Sequence, residues 1–421
     1  MRCVLVNCEI YKVETPPLYE MENLLSTLKI DIDFVATQKL EKINTATFIG
    51  SGFLAEISNF VKQNDIDVLV FNHDLSPLQI HNISEASGIL VYDRSMIILK
   101  IFELRASSKE AKLQVEVAYL QYMASRLIEK DKNYSQVTSG GAGGLTNRGA
   151  GEKAIDIKRY LLKKRIKEKE VELEKVVKLR QNQRKGRDSR LPIVAIVGYT
   201  NAGKSTLMNN FIRLTENVRK DEILQEDRLF ATLSTNTRYI KTDGYYPFLL
   251  TDTVGFISHL PHSLIKAFRS TLEEIKEADL LIHVVDISSD TYLQEIKTTN
   301  DTLKELGVEN KSTIYLYNKY DLLKDNFKPF VGEDELLTCL STDEDMDDII
   351  KLIDKKLESF YVEVSMLIPY EDASDYYEIK NTEAIIETKE TDLGYDCLVK
   401  ISKANYKKYS KYLMLKRDLY E

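Results

Sequence analysis

Short hydrophobic runs alternate with helical patterns over the first hundred residues. Four runs predict buried strands, at 3–10, 46–50, 67–71 and 88–92. The segment 54–64, between two of them, has the spacing of a connecting helix. Strands that alternate with helices indicate a parallel sheet. We therefore predict a small α/β domain over residues 1–102.

Two long helical patterns follow this domain. Apolar residues at helical spacing predict one helix over 103–134 and a second over roughly 153–185. Between them, six of the 17 glycines lie within residues 139–152, a density typical of a flexible loop. Two long helices around one loop indicate an antiparallel helical hairpin. We assign it to residues 103–190.

The alternation of strands and helices resumes at residue 191. Further strands are predicted at 192–198, 246–253, 280–288 and 313–318, with a last helix near 346–359. This pattern predicts a second α/β domain over 191–361. Residues 362–421 begin with a strand-like run and end in basic, Tyr-rich sequence, and we separate them as a small C-terminal domain.

Composition excludes collagen-like, low-complexity and wholly disordered classes, because 43% of the residues are hydrophobic and Gly and Pro are sparse. No apolar run approaches the roughly 18 residues of a membrane span. The first residues do not resemble a signal peptide. The four cysteines lack metal-ligand spacing. We therefore expect a cytoplasmic protein with no membrane span, and we expect a monomer.

Charge is unevenly distributed in this acidic chain, whose formal net charge is −8. Residues 153–190 carry 15 Lys and Arg against six Asp and Glu. One interpretation is a solvated helix face with ion pairs four residues apart. The other is a contact with RNA phosphates, because clustered basic residues gain affinity by releasing counterions. The candidate RNA-binding residues are Lys158, Arg159, Lys163, Lys164, Arg165 and Lys167.

The segment GYTNAGKST (198–206) fits the phosphate-loop pattern and lies between a predicted strand and a predicted helix. Glycines allow successive backbone N–H groups to face the phosphates. Lys204 supplies a positive charge to the β- and γ-phosphates, and Ser205 offers a hydroxyl to Mg²⁺. The predicted nucleotide contacts in this loop are Gly198, Tyr199, Thr200, Asn201, Ala202, Gly203, Lys204, Ser205 and Thr206.

A second motif, Asp252-Thr253-Val254-Gly255, follows an apolar strand, where ligands bind in open α/β sheets. We expect Asp252 to hold Mg²⁺ and the N–H of Gly255 to contact the γ-phosphate. A threonine of segment 230–238 should complete the magnesium shell, and we favour Thr232 over the alternatives in that segment, Thr235 and Thr237. Lys204, Thr232 and Gly255 are the candidate catalytic residues.

The third motif, Asn318-Lys319-Tyr320-Asp321, closes another apolar strand and fits N-K-x-D. The Asp321 carboxylate can accept hydrogen bonds from guanine N1–H and N2–H, a donor pair that adenine lacks, so the motifs favour GTP over ATP. Ser341 and Thr342 are the remaining candidate base contacts, with the Thr342 N–H directed at guanine O6. Many GTPases have Ser-Ala-Lys there, whereas this chain has Ser-Thr-Asp and lacks the lysine that stacks on the base.

The sequence resembles the HflX GTPases, which are ribosome-associated translational GTPases, over about residues 1–360. The resemblance depends on GYTNAGKST, FATL…TR, DTVGFI and NKYD, on TFIGSG, YDRS…IF and KLQVEVAYLQY, and on the loop GGAGG…RGAGE. It implies a P-loop GTPase domain preceded by an α/β effector domain and a helical hairpin. It also implies a partner, the large ribosomal subunit, and a role in splitting idle or stalled ribosomes under stress.

Several positions depart from the family pattern. The family loop usually reads RGPGE, whereas this chain has RGAGE at 148–152, with extra residues around 145–147. Phe256 follows Gly255, where many GTPases have a glutamine that orients water. We therefore expect slow hydrolysis by the protein alone and stimulation by the ribosome.

Two alternatives remain open at the level of sequence. The first is a nucleotide-gated RNA-binding, antibiotic-protection or subunit-assembly factor with little turnover. The second is a signalling GTPase whose basic segment binds an acidic protein.

Overall fold

The computed structural model describes twelve segments of the chain: 1–13, 15–137, 148–185, 191–216, 237–242, 244–253, 255–257, 275–308, 310–323, 331–342, 345–403 and 405–414. The side chains of 127–137, 148–156 and 180–185 lie outside this description. The described residues form two compact units, one of residues 1–180 and one of the residues from 181 onward.

The first unit contains a four-stranded parallel sheet in the order β2-β1-β3-β4. Its strands are β1 Arg2–Ile10, β2 Asp31–Leu40, β3 Val68–Phe71 and β4 Leu90–Tyr92. Its helices are α1 Leu18–Thr27, α2 Ser51–Gln63, α3 Pro77–Ser87 and α4 Arg94–Arg105. Residues 3–8 of β1 are all buried, as expected for a central strand that is covered on both faces. The predicted parallel α/β fold is confirmed.

The strand predicted at 46–50 is wrong, and the true second strand is β2. Residues 44–48 form a turn in which the Asn44 side chain accepts hydrogen bonds from the N–H groups of Ala46 and Thr47. Phe48 there adopts a left-handed backbone with φ +65°. In β2, an edge strand of mixed polarity, only Ala36 is buried. A search for continuous apolar runs therefore overlooks it.

Two long helices, α5 Lys109–Val137 and α6 Arg148–Lys185, complete the first unit. Glu116 of α5 pairs with Arg165 at 3.0 Å and with Lys169 at 2.9 Å. Further towards the start of α5, Lys109 pairs with Glu172 at 3.2 Å. As residue numbers increase along α5, the numbers of their partners on α6 decrease, so the two helices are antiparallel, as predicted. Residues 103–105, assigned to the first long helix, belong instead to α4.

A buried polar cluster connects α5 to the sheet. Asp93, which is 1% exposed and follows β4, accepts a hydrogen bond from the Met96 N–H and so caps α4. The same carboxylate accepts from the Tyr122 hydroxyl at 2.6 Å and pairs with Arg126 at 2.5 Å. Burial is the main reason that the pKa of Tyr122 rises, with the Asp93 charge next. These contacts fix the near end of the helical hairpin to the domain.

The second unit contains a six-stranded sheet in the order β10-β9-β8-β5-β7-β6. Its strands are β5 Ile193–Gly198, β6 Thr237–Ile240, β7 Phe248–Asp252, β8 Leu280–Asp286, β9 Ser312–Asn318 and β10 Glu335–Thr338. The described helices beside it include α7 Lys204–Glu216, α8 Tyr292–Glu305 and α9 Met346–Leu357. All strands are parallel except β6, which is antiparallel to β7. The predicted α/β class is confirmed, whereas β6 was not predicted.

Residues 361–414 form a smaller antiparallel sheet in the order β11-β13-β12 with one helix. The elements are β11 Tyr361–Ile368, α10 Ala373–Thr382, β12 Ala384–Thr391 and β13 Gly394–Ser402. Tyr361 stacks on Tyr246, which lies two residues before β7, with 4.2 Å between ring centroids. Tyr239 of β6 donates a hydrogen bond to the Asn381 carbonyl at 3.1 Å, and the Lys241 ammonium donates to the Lys380 carbonyl. The last turn of α10 is therefore capped by β6 and the residue after it.

Candidate nucleotide site

The loop between β5 and α7 has backbone geometry that only glycine tolerates at two positions. Gly198 has φ +143°, and a Cβ atom there would lie 2.2 Å from the Val284 carbonyl oxygen. Gly203 has φ +109°, and its Cβ would lie 2.2 Å from the Asn318 Nδ2. The sequence therefore folds this segment into a tight turn that ends at the first turn of α7, where backbone N–H groups lack helix partners.

Lys204 lies under this loop and is 7% exposed. Its ammonium donates a hydrogen bond to the Tyr199 carbonyl at 2.5 Å. Burial lowers its pKa to about 8, although the carboxylates of Asp252 and Glu295 act in the opposite direction. A buried cation whose charged form is disfavoured gains from an added anion. This arrangement is suited to a phosphate group.

The segment after β7 runs beside the phosphate loop. Asp252 ends β7 and is 3% exposed. The Thr200 N–H donates to the Phe256 carbonyl at 2.8 Å, and the Phe256 N–H donates to the Gly198 carbonyl at 3.1 Å. A Cβ on Gly255 would lie 2.9 Å from the Lys204 Nζ, so the Gly255 backbone faces the ammonium. The first two predicted motifs therefore meet at one edge of the sheet.

The remaining residues of the phosphate loop surround these two groups. Tyr199, Thr200 and Ala202 are buried, and Asn201 adopts a left-handed backbone with φ +63°. Ser205 and Thr206 occupy the second and third positions of α7 and are partly buried. Thr232, the predicted magnesium-binding and catalytic threonine, lies outside the described residues.

Phe256 is 3% exposed, and both its N–H and its carbonyl bond to the phosphate loop. A phenyl ring offers no hydrogen-bond donor or acceptor to orient water. This geometry agrees with the expectation that residue 256 does not position the attacking water. In this conformation the segment is held by its backbone.

Asn318 connects the phosphate loop to the base side of the site. Its Nδ2 donates to the Ala202 carbonyl at 2.8 Å, and its Oδ1 accepts from the Leu340 N–H at 3.0 Å. The Lys319 ammonium pairs with Asp286 at 2.7 Å. Asp321 is exposed in a single turn of 3-10 helix, and its carboxylate helps to raise the pKa of the Cys339 thiol, after burial as the largest cause. The third motif thus faces the end of β10.

The loop after β10 carries the last two predicted base contacts. Ser341 and Thr342 are exposed, and the Ser341 hydroxyl lies 2.9 Å from the Cys339 Sγ. The Thr342 N–H, which we expected to reach guanine O6, donates instead to the Cys339 carbonyl at 2.9 Å. In the described conformation this N–H therefore forms a hydrogen bond within its own turn. Asp343, the departure from the usual lysine, lies outside the described residues.

The six basic candidates on α6 differ in their surroundings. Lys158, Lys163 and Lys167 are exposed. Lys164 is also exposed and lies 3.9 Å from Glu168, whereas Arg165 pairs across the hairpin with Glu116. Arg159 is half-buried. The helix therefore presents exposed lysines, while Arg165 holds the two helices together.

The sequence analysis missed one charged residue of the site, Asp286. It ends β8 at the same sheet edge as Asp252 of β7 and Asn318 of β9. The pattern of an apolar strand that ends in a carboxylate was available to find it, because carboxyl ends of parallel strands share one edge. None of the three motifs includes that position, so it was not selected.

A tight phosphate loop, a buried lysine and an Asn-Lys-x-Asp segment at the end of a parallel sheet define a P-loop GTPase. Three family models match the chain: GTP-binding GTPase N-terminal over residues 16–103, GTP-binding GTPase Middle Region over 105–187, and 50S ribosome-binding GTPase over 193–319.

Relatives match over most of the chain. GTPase HflX of Caldanaerobacter subterraneus is 38% identical over 92% of this chain and 87% of its own length. GTPase HflX of Escherichia coli is 38% identical over 76% of this chain and 72% of its own length. The protein belongs to the HflX family of GTPases. A solved complex of SsGBP with GDP has a TM-score of 0.46 and 24% identity, over 84% of this chain and 98% of that one.

Proposed function

We propose that this GTPase binds the large ribosomal subunit in its GTP state and splits or rescues stalled or idle ribosomes under stress. The proposal depends on the presence, in one chain, of a phosphate loop and of helix α6, which exposes several lysines. A family description of ribosome binding for residues 193–319 supports it. We expect it to act as a monomer in the cytoplasm, where ribosomes work.

On the phosphate side, the residues of the loop 198–206 bind the nucleotide. Lys204 exchanges the Tyr199 carbonyl for the β- and γ-phosphate oxygens, and the backbone N–H groups at the start of α7 face the same anions. The Gly255 N–H contacts the γ-phosphate, because its backbone already faces the Lys204 ammonium. Loss of the γ-phosphate therefore removes the contact at Gly255, and we expect the backbone around Gly255 to change conformation.

Mg²⁺ fits the oxygen donors at this edge. The buried carboxylate of Asp252 and the hydroxyl of Ser205 are hard ligands of the kind that Mg²⁺ prefers. No group of three or more His, Cys, Asp or Glu that could hold a metal occurs among the residues described. Nucleotide phosphates and water must then supply the other ligands, with Thr232 as a further protein ligand. The ion supplies charge stabilisation for the phosphoryl oxygens.

On the base side, Asp321 accepts hydrogen bonds from guanine N1–H and N2–H. Asn318 holds the base segment against the phosphate loop, and Lys319 lies beneath the base. Ser341 and Thr342 close the pocket, the latter after its N–H leaves the Cys339 carbonyl. Adenine offers no such donor pair to Asp321, which favours GTP.

Sedimentation with purified large subunits tests the ribosome proposal. The protein is mixed with subunits in the presence of GDP, a non-hydrolysable GTP analogue or no nucleotide. Retention with the analogue alone is expected. Equal retention in every state would point to a constitutive RNA binder, and no retention despite confirmed nucleotide binding would refute ribosome binding.

A charge-reversal pair tests the helix. The variant Lys158→Glu/Lys163→Glu/Lys167→Glu should weaken ribosome binding and flatten its salt dependence, since each lost phosphate contact lowers the slope by about 1. The matched control reverses Lys175 and Lys178, which are also exposed on α6 but lie about 40 Å or more from its first residue by helix rise. Equal weakening by both variants, or by neither, would count against the assignment.

A second candidate function is favoured by the burial of Phe256. A nucleotide-gated RNA-binding, antibiotic-protection or subunit-assembly factor needs little turnover, and residue 256 offers no group for water. Single-turnover hydrolysis of GTP with and without large subunits separates the two functions. Strong stimulation by the subunits supports the splitting or rescue factor, whereas slow turnover in both conditions supports the second candidate.

A further inference from the structure

Asp286, which belongs to none of the three motifs, lies at the base side of the site. It faces Asn318 in the parallel register of β8 and β9. Its Oδ1 accepts hydrogen bonds from the Ser288 N–H at 3.1 Å and the Ser288 hydroxyl at 2.5 Å. Its Oδ2 accepts from the Lys319 ammonium at 2.7 Å. The Asp286 and Lys319 side chains are 16% and 24% exposed, so this pair is more shielded than a surface ion pair.

Lys319 occupies the path between the two parts of the nucleotide site. The residue before it, Asn318, contacts the phosphate loop through the Ala202 carbonyl. Two residues after it, Asp321 is the base-reading carboxylate. A nucleotide with its phosphates in the loop and its base on Asp321 must therefore pass over Lys319. A flat base is stabilised by the apolar stem of a lysine, whose ammonium extends beyond it.

The direction of the Lys319 side chain is set at both ends. Its backbone is left-handed with φ +63°, an unusual conformation for a residue with a Cβ. Its ammonium is held by Asp286. The loop after β10 has Ser341-Thr342-Asp343 and so provides no lysine stem for the other face of the base. Base stacking in this chain depends on the orientation of Lys319.

We propose that Asp286 is a positioning residue for guanine nucleotides, because it holds the Lys319 ammonium away from the base and leaves the stem as a platform. The proposal rests on the base-side assignment made under the proposed function. Without the carboxylate, the four rotatable bonds of Lys319 are released, and the ammonium can enter the space of the base. The residue acts through Lys319 and does not contact the nucleotide itself.

The test measures GDP affinity of the full-length protein by calorimetry. Asp286→Asn should weaken binding about tenfold, as expected for the loss of a partly buried charge pair. Lys319→Met keeps an apolar stem and should weaken binding less. The double variant should bind no more weakly than Lys319→Met, because Asp286 has no partner to hold in that background. Asp290→Asn, an exposed carboxylate in the same loop, is the matched control and should bind normally.

Additive losses in the double variant, or normal binding by Asp286→Asn, would overturn the proposal. Thermal unfolding of the nucleotide-free proteins detects a structural defect separately. Such a defect would lower the unfolding midpoint of Asp286→Asn, and the same decrease would remain when Asp286→Asn is added to Lys319→Met.

Inosine diphosphate distinguishes this proposal from the underlying base assignment. It lacks the 2-amino group that Asp321 reads, whereas stacking does not sense that group. Asp286→Asn should therefore weaken GDP and inosine diphosphate equally, and Asp321→Asn should abolish the preference for GDP. If Asp321→Asn keeps the preference, the base assignment fails. If that preference is lost while Asp286→Asn binds normally, only the role of Asp286 fails.

Discussion

When the protein binds a nucleotide, Lys204 should take up a proton. The number of protons taken up follows from the pKa that burial gives to Lys204 in the empty protein. The pKa of Lys204 in the nucleotide-free protein is lowered to about 8, chiefly by desolvation. A bound phosphate compensates this loss and raises the pKa towards or beyond the ordinary value of about 10.4. The difference corresponds to about 3 kcal/mol of unfavourable burial, which the phosphate offsets.

The sign of the effect follows from proton counting. Between about pH 8 and pH 10, the unfolded chain and the nucleotide complex both hold a proton on Lys204 that the empty folded protein has lost. Stability of the empty protein contributed by this group therefore rises with pH across that window, and affinity for GDP or GTP falls. At pH 8 binding should take up about 0.5 proton, and at pH 9 about 0.9.

Calorimetry in buffers of different ionisation enthalpy measures this uptake directly. At pH 8 the nucleotide phosphates are fully ionised and guanine N1 is still protonated, so neither group contributes there, whereas ionisation of N1 adds to the uptake at higher pH. Through Lys204 alone, GDP affinity should fall about thirtyfold from pH 8 to pH 10, beyond the half already lost at pH 8. Uptake below about 0.1 proton at pH 8 would refute the argument that burial discharges Lys204.

Three substitutions test the packing. Gly203→Ala places a Cβ 2.2 Å from the Asn318 Nδ2 at a backbone φ of +109°, so nucleotide affinity should fall more than about tenfold. The control Gly307→Ala, at φ +73° with open space around it, should bind nucleotide normally. Equal nucleotide affinities of the two variants would contradict this expectation. Asp93→Asn leaves Arg126 without its anion and should lower the free energy of unfolding in urea by about 3 kcal/mol; a loss below about 0.5 kcal/mol would mean that the cluster is dispensable. Tyr361→Phe removes the hydrogen bond to the Pro247 carbonyl and should cost about 1 kcal/mol without changing GTP affinity, and a changed affinity would contradict that separation.

Elements with continuous apolar runs were predictable from the sequence, because central parallel strands are buried on both faces. β1 and β8 are such strands, and their predicted positions are confirmed. Edge strands are not readable in this way. β2 and β6 each bury a single side chain, so their identity depends on backbone pairing with a neighbouring strand.

The motif residues were also predictable, because phosphate and guanine recognition demand particular groups at particular spacings. The structure brings Gly203 and Asn318 together although they are far apart in the chain. Asp286 could not be selected, since its partner Lys319 directly follows a different strand, β9, and only the register of β8 and β9 makes them neighbours. The Thr342 hydrogen bond to Cys339 likewise depends on the shape of one turn.

The contacts of α10 with β6 have a consequence for the order in which the chain is made. Protein synthesis releases β6 more than a hundred residues before Asn381 and Lys380 emerge. Until then the β6 edge of the six-stranded sheet lacks its contacts with α10, and the Tyr239 hydroxyl lacks the carbonyl that accepts its hydrogen bond. Exposed edges invite pairing with other chains. A chain truncated near residue 360 lacks these contacts and should aggregate more during synthesis than the full chain does.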